Sequence, residues 1–284
     1  MRKLSESMTK PVWRLLSTSA SCAAENMAID EAIVRAVAQG KVPPTLRFYT
    51  WLKPTVSLGY FQKHQVLDKA AMASRGVEWV RRLTGGRAVL HDRELTYSLV
   101  LSEDTPWLPR KVNEAYRVLS EGLVKGYRSL GLDATLMHMS DQVTKQDSSG
   151  AACFDAPSWY ELVVDGMKVA GSAQTRLQGV LLQHGAILME SHAELLSEVF
   201  AASEKEKIAV RELLDQKASA LWPIQEARGQ KRISSKQLEL AMIDGFSESL
   251  QIELQVSELT AGELASVREL VAEKYANETW NCRR

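Results

Sequence analysis

The chain has 284 residues and a mass of 31.6 kDa, enough for one large domain or two modest ones. Its 35 Lys plus Arg balance 35 Asp plus Glu, which argues against a generally basic nucleic-acid binder and against an acidic tail protein. With 45% hydrophobic and 25% charged residues, the composition excludes disordered, collagen-like and coiled-coil chains and describes an ordinary globule.

The first eleven or so residues are expected to be loose. Ser21 then caps a predicted helix whose buried stripe is Ile29, Ala32, Ile33, Ala36 and Val37, ended by Gly40, Pro43 and Pro44. From there to Leu101 the period changes to two. TLRFYTW, TVSLGYF, GVEWVRR and ELTYSLVLS read as strands, and in the last of them Leu95, Tyr97, Leu99 and Leu101 share a face. A second helix carries Val112, Tyr116, Leu119, Leu123 and Tyr127 and stops at Gly131. His138 to Ala152 reads as an exposed polar loop leading to Cys153. YELVV and MKVAGSAQ flank Asp165-Gly166, the dipeptide of a type I′ hairpin, and GVLLQHGAILM is one more strand. From His192 the pattern turns helical, which divides the chain into a catalytic part over 12–200 and a helical extension over 201–284 packed on it. Pro223 to Gln230 is read as a loop within that extension.

The three cysteines, Cys22, Cys153 and Cys282, are too few and too scattered for a disulfide framework, and no CxxC pair marks zinc. A cytoplasmic protein without a metal is expected. No stretch approaches the 18 apolar residues of a membrane span, and the N-terminus has no apolar core of a signal peptide.

Three features carry possible chemistry. In RRLTGGRAVLHD, Gly85 and Gly86 let the backbone bend close to a ligand, while Arg82 and Arg87 bring charge to the bend; a plain hairpin turn is the bland alternative. The GxGxxG and GxxxxGK[ST] patterns are absent, so dinucleotide and P-loop sites are not indicated. Cys153 follows a Ser/Gly-rich loop and precedes Asp155, Pro157 and Ser158, a setting that suits an exposed nucleophile better than an inert core thiol. Lys168 stands just past the hairpin turn, before small residues that leave room for a ligand; the bland reading is a solvated lysine. A Lys168 ammonium facing Cys153 favours the thiolate and makes a nucleophile with its own proton acceptor. His91 and His184 keep a cysteine-histidine reading open.

RRLTGGRAVLHDRELTYS, CFDAPSWYELVVDGMKVAGSAQTR and LLQHGAIL together resemble the biotin/lipoate protein ligase superfamily, most closely its octanoyltransferase branch. The resemblance covers Trp13 to Glu190, and the KYANETWNCRR tail fits the same branch. It implies a mixed α/β fold, with largely antiparallel sheets flanked by helices, in which the Gly-Gly loop and the lysine strand wall an acyl tunnel. It implies transfer of octanoyl from octanoyl-acyl carrier protein, through a thioester on Cys153, to a lysine of the glycine cleavage H protein or another lipoyl domain. Lys168 would lower the thiol pKa and carry the proton. Arg82, Thr84, Gly85, Gly86, Arg87, His91, Gly171, Ser172, Ala173 and Gln174 would bind the substrate, with no cofactor, nucleic acid or membrane partner. Backbone amides near Gly171, Ser172 or Cys153 are candidate oxyanion donors.

Related ATP-dependent lipoate ligases carry a third glycine where this chain has Arg87, which puts nucleotide use in doubt. Ligase activity, octanoyl transfer between lipoyl domains, and silent binding of lipoyl domains are the competing readings. An octanoyl chain in an apolar tunnel gains about 0.8 kcal/mol per buried CH₂, roughly 5 kcal/mol in all, so tunnel depth would read chain length. The acyl carrier and lipoyl domains are acidic by family resemblance, and Arg47, Lys53, Lys63, Arg81 and Arg110 are candidate members of a basic docking patch.

Overall fold

Trp13 to Leu16 are all buried and form the heart of strand β1 (Val12–Ser17), the first element of the computed structural model, which describes residues 9–138, 160–200 and 203–284. No alternating pattern announces this strand, because Arg14 is buried among apolar neighbours and holds Glu263 through two bonds of 2.9 and 2.6 Å. Helix α1 (Ala23–Ala38) begins one residue later than a Ser21 cap implies. The Ser21 carbonyl instead accepts from the Leu52 N–H at 3.1 Å, and the Ala23 N–H donates to the Glu78 carboxylate at 3.3 Å, which sets an acid at the positive helix end.

Strands β2 (Thr45–Tyr49) and β3 (Thr55–Leu58) stand where the period-two pattern expects them. A short helix α2 (Lys69–Ser74) that the pattern did not signal precedes β4 (Glu78–Arg81); β5 (Val89–His91), likewise unexpected, precedes β6 (Glu94–Ser102). Helix α3 (Val112–Ser129) ends ahead of Gly131, whose φ of +77° suits only glycine comfortably. His138 belongs to strand β7 (Thr135–His138) and not to the expected loop, since it pairs with Tyr160 of β8 (Tyr160–Val164). Asp165 and Gly166 turn the chain with φ of +51° and +78°, as a type I′ hairpin requires, into β9 (Met167–Leu177), followed by β10 (Val180–Leu188).

The helices α4 (Ala193–Glu198), α5 (Glu204–Lys217), α6 (Leu221–Ala227) and α7 (Ser235–Leu250) follow. Pro223 lies inside α6 rather than in a loop; in the first helical turn its missing N–H has no partner to lose. The tail is not wholly helical either. After α7 the chain makes strand β11 (Glu253–Val256), which pairs parallel with β1, before α8 (Ala261–Leu270), a π-helical turn over Val271–Tyr275, and α9 (Glu278–Asn281).

One sheet has the order β11-β1-β2-β6-β10-β9-β8-β7 and a smaller one β4-β3-β5. The mixed α/β expectation is borne out. Leu95, Tyr97, Leu99 and Leu101 of β6 face a core shared with α3 and α7, where Gly122, Gly126 and Gly245 allow close helix contact: a Cβ on Gly245 would sit 2.3 Å from the Gly122 carbonyl oxygen. The alternate residues Thr96, Ser98 and Val100 face the other side, toward α1 and the small sheet. That side carries the candidate site.

Candidate active site

Between the α1 side of the large sheet and the small sheet lies a partly open cavity, with about 360 Å³ of empty space counting its open mouth. Gly171, Ser172 and Ala173 of β9 and His184, Gly185 and Ala186 of β10 form one wall; Ser57 and His91 of the small sheet, with Arg82, form the opposite one. Trp51 stacks on His91 with ring centroids 4.3 Å apart. Small residues on β9 and β10 are what open the space. At Gly185 the backbone also needs the missing side chain, since a Cβ would meet the Gly171 carbonyl oxygen at 2.6 Å and the Tyr97 ring at 2.8 Å.

The Gly-Gly bend is built from its neighbours inward. The buried Arg82 guanidinium donates to the carbonyls of Ser57, Gly85 and Arg87 at 2.7, 2.7 and 2.8 Å, so the arginine spans the bend and fixes its shape. Gly86 has φ +86°, and its carbonyl oxygen packs where a Cβ on Gly59 would come within 1.9 Å. Two glycines from separate loops are thus required at one contact.

Behind the bend runs a buried polar chain. Arg82 Nε donates to Thr84 Oγ1 at 3.0 Å, Thr84 Oγ1 lies 2.7 Å from His184 Nε2, and His184 Nδ1 lies 3.2 Å from Asp30 Oδ2. Asp30 also pairs with Arg47 at 2.7 Å and accepts from Ser98 at 2.9 Å and Tyr49 at 3.2 Å. Burial pushes the His184 imidazole below its ordinary pKa, with Arg82 and His91 pushing the same way and Asp30 opposing. Burial raises the Asp30 carboxyl, but Arg47 and His184 outweigh it and leave it below the usual value. Asp30 is therefore an anion and His184 is neutral. A carboxylate only accepts, so Nδ1 carries the imidazole proton and Nε2 accepts from the Thr84 hydroxyl.

His91 is held separately. Its Nδ1 is 2.7 Å from Glu94 Oε1 and its Nε2 is 2.7 Å from Ser57 Oγ, while Thr96 takes the Trp51 indole N–H at 2.8 Å. On β9, Ser172 Oγ is 2.8 Å from the Tyr97 hydroxyl, and Gln174 donates to Gln183 at 3.1 Å.

Lys168 is buried, only 5% exposed, and its ammonium lies 3.0 Å from Glu161 Oε1. Val163 pairs with Lys168 across the β8–β9 ladder and Glu161 is two residues along the same face, so the two side chains meet diagonally. A β-bulge between Leu162 and Val163 sets this placement. The reading of Lys168 as a solvated surface lysine is therefore excluded. Cys153, with Asp155, Pro157 and Ser158, lies outside the described residues.

Of the expected site residues, Arg82, His91, Gly171, Ser172 and Ala173 line the cavity. Thr84, Gly85, Gly86 and Arg87 form the bend above it, and Gln174 and Lys168 extend along the same strand, outside the lining.

A model of the lipoyl protein ligase A/B catalytic domain matches residues 22–247. The octanoyltransferase LipM of Brevibacillus brevis is 47% identical over 277 residues, 96% of this chain and 99% of that protein. This chain belongs to the LipM octanoyltransferases, within that catalytic-domain family. Among solved structures, a bi-partite lipoate protein ligase from Thermoplasma acidophilum is 28% identical with a TM-score of 0.77, covering 97% of this chain and 96% of its own. A lipoate-protein ligase A bound with ATP is 29% identical with a TM-score of 0.75, covering 96% and 99%. As a LipM family member the chain is an acyltransferase.

The expected docking patch of this LipM member needs correction. Arg47 and Arg81 are both fully buried. Arg47 serves Asp30 and Asn26, and Arg81 donates to the carbonyls of Gly59, Gln62 and Asn281 at 2.8, 2.7 and 2.9 Å. Charge alone made them look like surface residues, whereas their partners come from distant segments. Lys53, Lys63 and Arg110 are exposed. Among the described residues no helix is long and apolar enough to cross a membrane, and no group of three or more His, Cys, Asp or Glu is placed to hold a metal.

Proposed function

We propose that this chain transfers an octanoyl group from octanoyl-acyl carrier protein to a lysine of a lipoyl domain, such as that of the glycine cleavage H protein, through a thioester on Cys153. The observation that carries the reading is near full-length identity of 43–47% with proteins named octanoyltransferase LipM. The cavity beneath the Gly-Gly bend supports it as the acyl site, and the buried Lys168–Glu161 pair supports Lys168 as a positioned proton carrier rather than a solvated side chain.

In this mechanism the Cys153 thiolate adds to the carrier thioester carbonyl and the carrier sulfur leaves, taking a proton from the Lys168 ammonium. The acceptor lysine amine then attacks the acyl-cysteine, the Cys153 thiolate leaves, and neutral Lys168 takes the amine's proton to restore the starting pair. The thioester supplies the activation, so no nucleotide is consumed. Glu161 holds the ammonium in register before the first step and after the second. The cytoplasm, where acyl carrier and lipoyl proteins are made, is the proposed setting.

The ligase reading is disfavoured by Arg87, whose carbonyl is tied to Arg82 where the related ligases carry a third glycine. The test is modification of apo H protein by the purified chain with octanoyl-acyl carrier protein and no ATP. An octanoyl mass gain on the acceptor is expected. Modification only with free octanoate and ATP would establish the ligase instead, and modification only from octanoyl H protein would establish transfer between lipoyl domains.

A further inference from the structure

Arg81, though buried, builds a surface. Its guanidinium takes the Gly59 and Gln62 carbonyls on one side and the Asn281 carbonyl on the other, its backbone N–H donates to Asn281 Oδ1 at 2.8 Å, and the Trp280 indole donates to the Arg81 carbonyl at 2.8 Å. One arginine thereby locks the loop over 59–62 and the last helix into a single unit. That unit places Arg284 with its guanidinium 5.2 Å from the Phe61 ring, and Arg283 with its guanidinium 4.6 Å from the Tyr60 ring and 4.8 Å from Trp280. Phe61 is 67% exposed, an unusual state for so large an apolar ring, and both arginines are exposed. Neither guanidinium is in a side-chain ion pair among the described residues, and both lie over aromatic faces.

This surface adjoins the cavity. A Cβ on Gly85 would touch Phe61 at 3.8 Å, while the next residue, Gly86, faces Ala173 of the cavity wall, with 3.9 Å from a built Cβ to the Ala173 Cβ. Phe61 therefore packs on the outer side of the bend whose inner side covers the acyl site.

We propose that Phe61, Arg283 and Arg284 are the docking surface for the acyl donor, an acidic carrier protein whose thioester arm is attached through a phosphodiester. The inference rests on the octanoyl-transfer reading for the donor's identity. Three features of the surface favour that occupant. The chain as a whole is neutral, so recognition of an acidic partner has to come from a local cationic patch. Guanidinium is the group that binds phosphate through paired hydrogen bonds, and two are exposed here on the adjoining Tyr60 and Phe61 rings. An exposed Phe61 ring with the Arg284 guanidinium over it has the composition of an interface anchor. The acceptor lysine side carries no phosphodiester, which sets the donor ahead of the lipoyl domain.

The test compares the full-length protein with Arg283→Glu/Arg284→Glu and with Phe61→Ser, using octanoyl-acyl carrier protein, octanoyl-N-acetylcysteamine as a donor without phosphate, and calorimetric titration with holo carrier protein. The proposal expects kcat/KM for the carrier-linked donor to fall about tenfold or more, mostly through KM. It also expects weaker carrier binding, loss of the wild-type salt dependence, and unchanged use of the small donor and of the acceptor. Unchanged carrier KM and binding would overturn it. An equal loss with the small donor would assign the variants to damage at the cavity, and a rise in acceptor KM alone would assign the patch to the lipoyl domain; either overturns it. Carrier binding that depends on these residues in a wild-type chain that transfers no octanoyl would uphold the surface and sink the activity.

Discussion

The neutral state of His184 can be tested through stability against pH. Its folded pKa lies below the ordinary value of 6.5, with burial as the largest cause. Between that value and the depressed one, the unfolded chain binds a proton that the folded chain refuses. Stability therefore falls as pH is lowered through this window, by up to about 1.4 kcal/mol per pH unit for one fully coupled group. Asp30 does not cancel the effect, because its pKa is lowered below 3.8 and it stays ionised throughout the window. His184→Gln keeps a side chain able to reach Asp30 and Thr84 but cannot titrate. Urea denaturation of both proteins between pH 7 and pH 5 is the assay. The stability gap between wild type and variant is expected to narrow on acidification through this window, at a slope of at most about 1.4 kcal/mol per pH unit, while changes from other groups appear in both curves and subtract out. Parallel curves would show that His184 titrates normally and would refute the proton assignment of the Thr84–His184–Asp30 chain.

Gly59→Ala is expected to cost about 1–3 kcal/mol and to depress transfer, because its Cβ would sit 1.9 Å from a backbone oxygen of Gly86 that has nowhere to rotate; denaturation and steady-state rates check both parts. Ala173→Leu fills cavity space and should shift donor preference from octanoyl toward shorter chains, about fourfold for each methylene excluded at about 0.8 kcal/mol; an unchanged preference across a series of acyl carrier thioesters would contradict the cavity's role. Lys168→Ala should raise the pH midpoint of Cys153 alkylation and slow acylation, with Glu161→Gln intermediate, whereas alkylation profiles identical to wild type would rule out the pairing.

Much of the fold was legible because its signals are local. The face of β6 marked by Leu95, Tyr97, Leu99 and Leu101 is the face that meets α3 and α7, and Asp165-Gly166 turns as its chemistry dictates. What was missed depends on residues far apart in the chain. Strand β1 hides its character because Arg14 is neutralised by Glu263, 249 positions away, and β11 becomes a strand by pairing with β1. Arg47 and Arg81 looked like surface charges for the same reason.

The site shows the same division. The Gly-Gly bend, His91 and the small residues of β9 were readable as motifs, and His184 was readable only as a possible partner, like His91, for a nucleophilic cysteine. Asp30 was invisible, lying near the apolar stripe of α1 with partners drawn from β2, β6 and β10. Glu161 had no signal except its place two residues from the register partner of Lys168 across a bulged ladder.

The central claim is a covalent one, and the mass of the intact protein tests it. After mixing with octanoyl-acyl carrier protein in the absence of acceptor, the protein should gain one octanoyl group that hydroxylamine removes and that is absent from Cys153→Ala. A protein that octanoylates its acceptor at full rate while never carrying such an adduct would contradict the account.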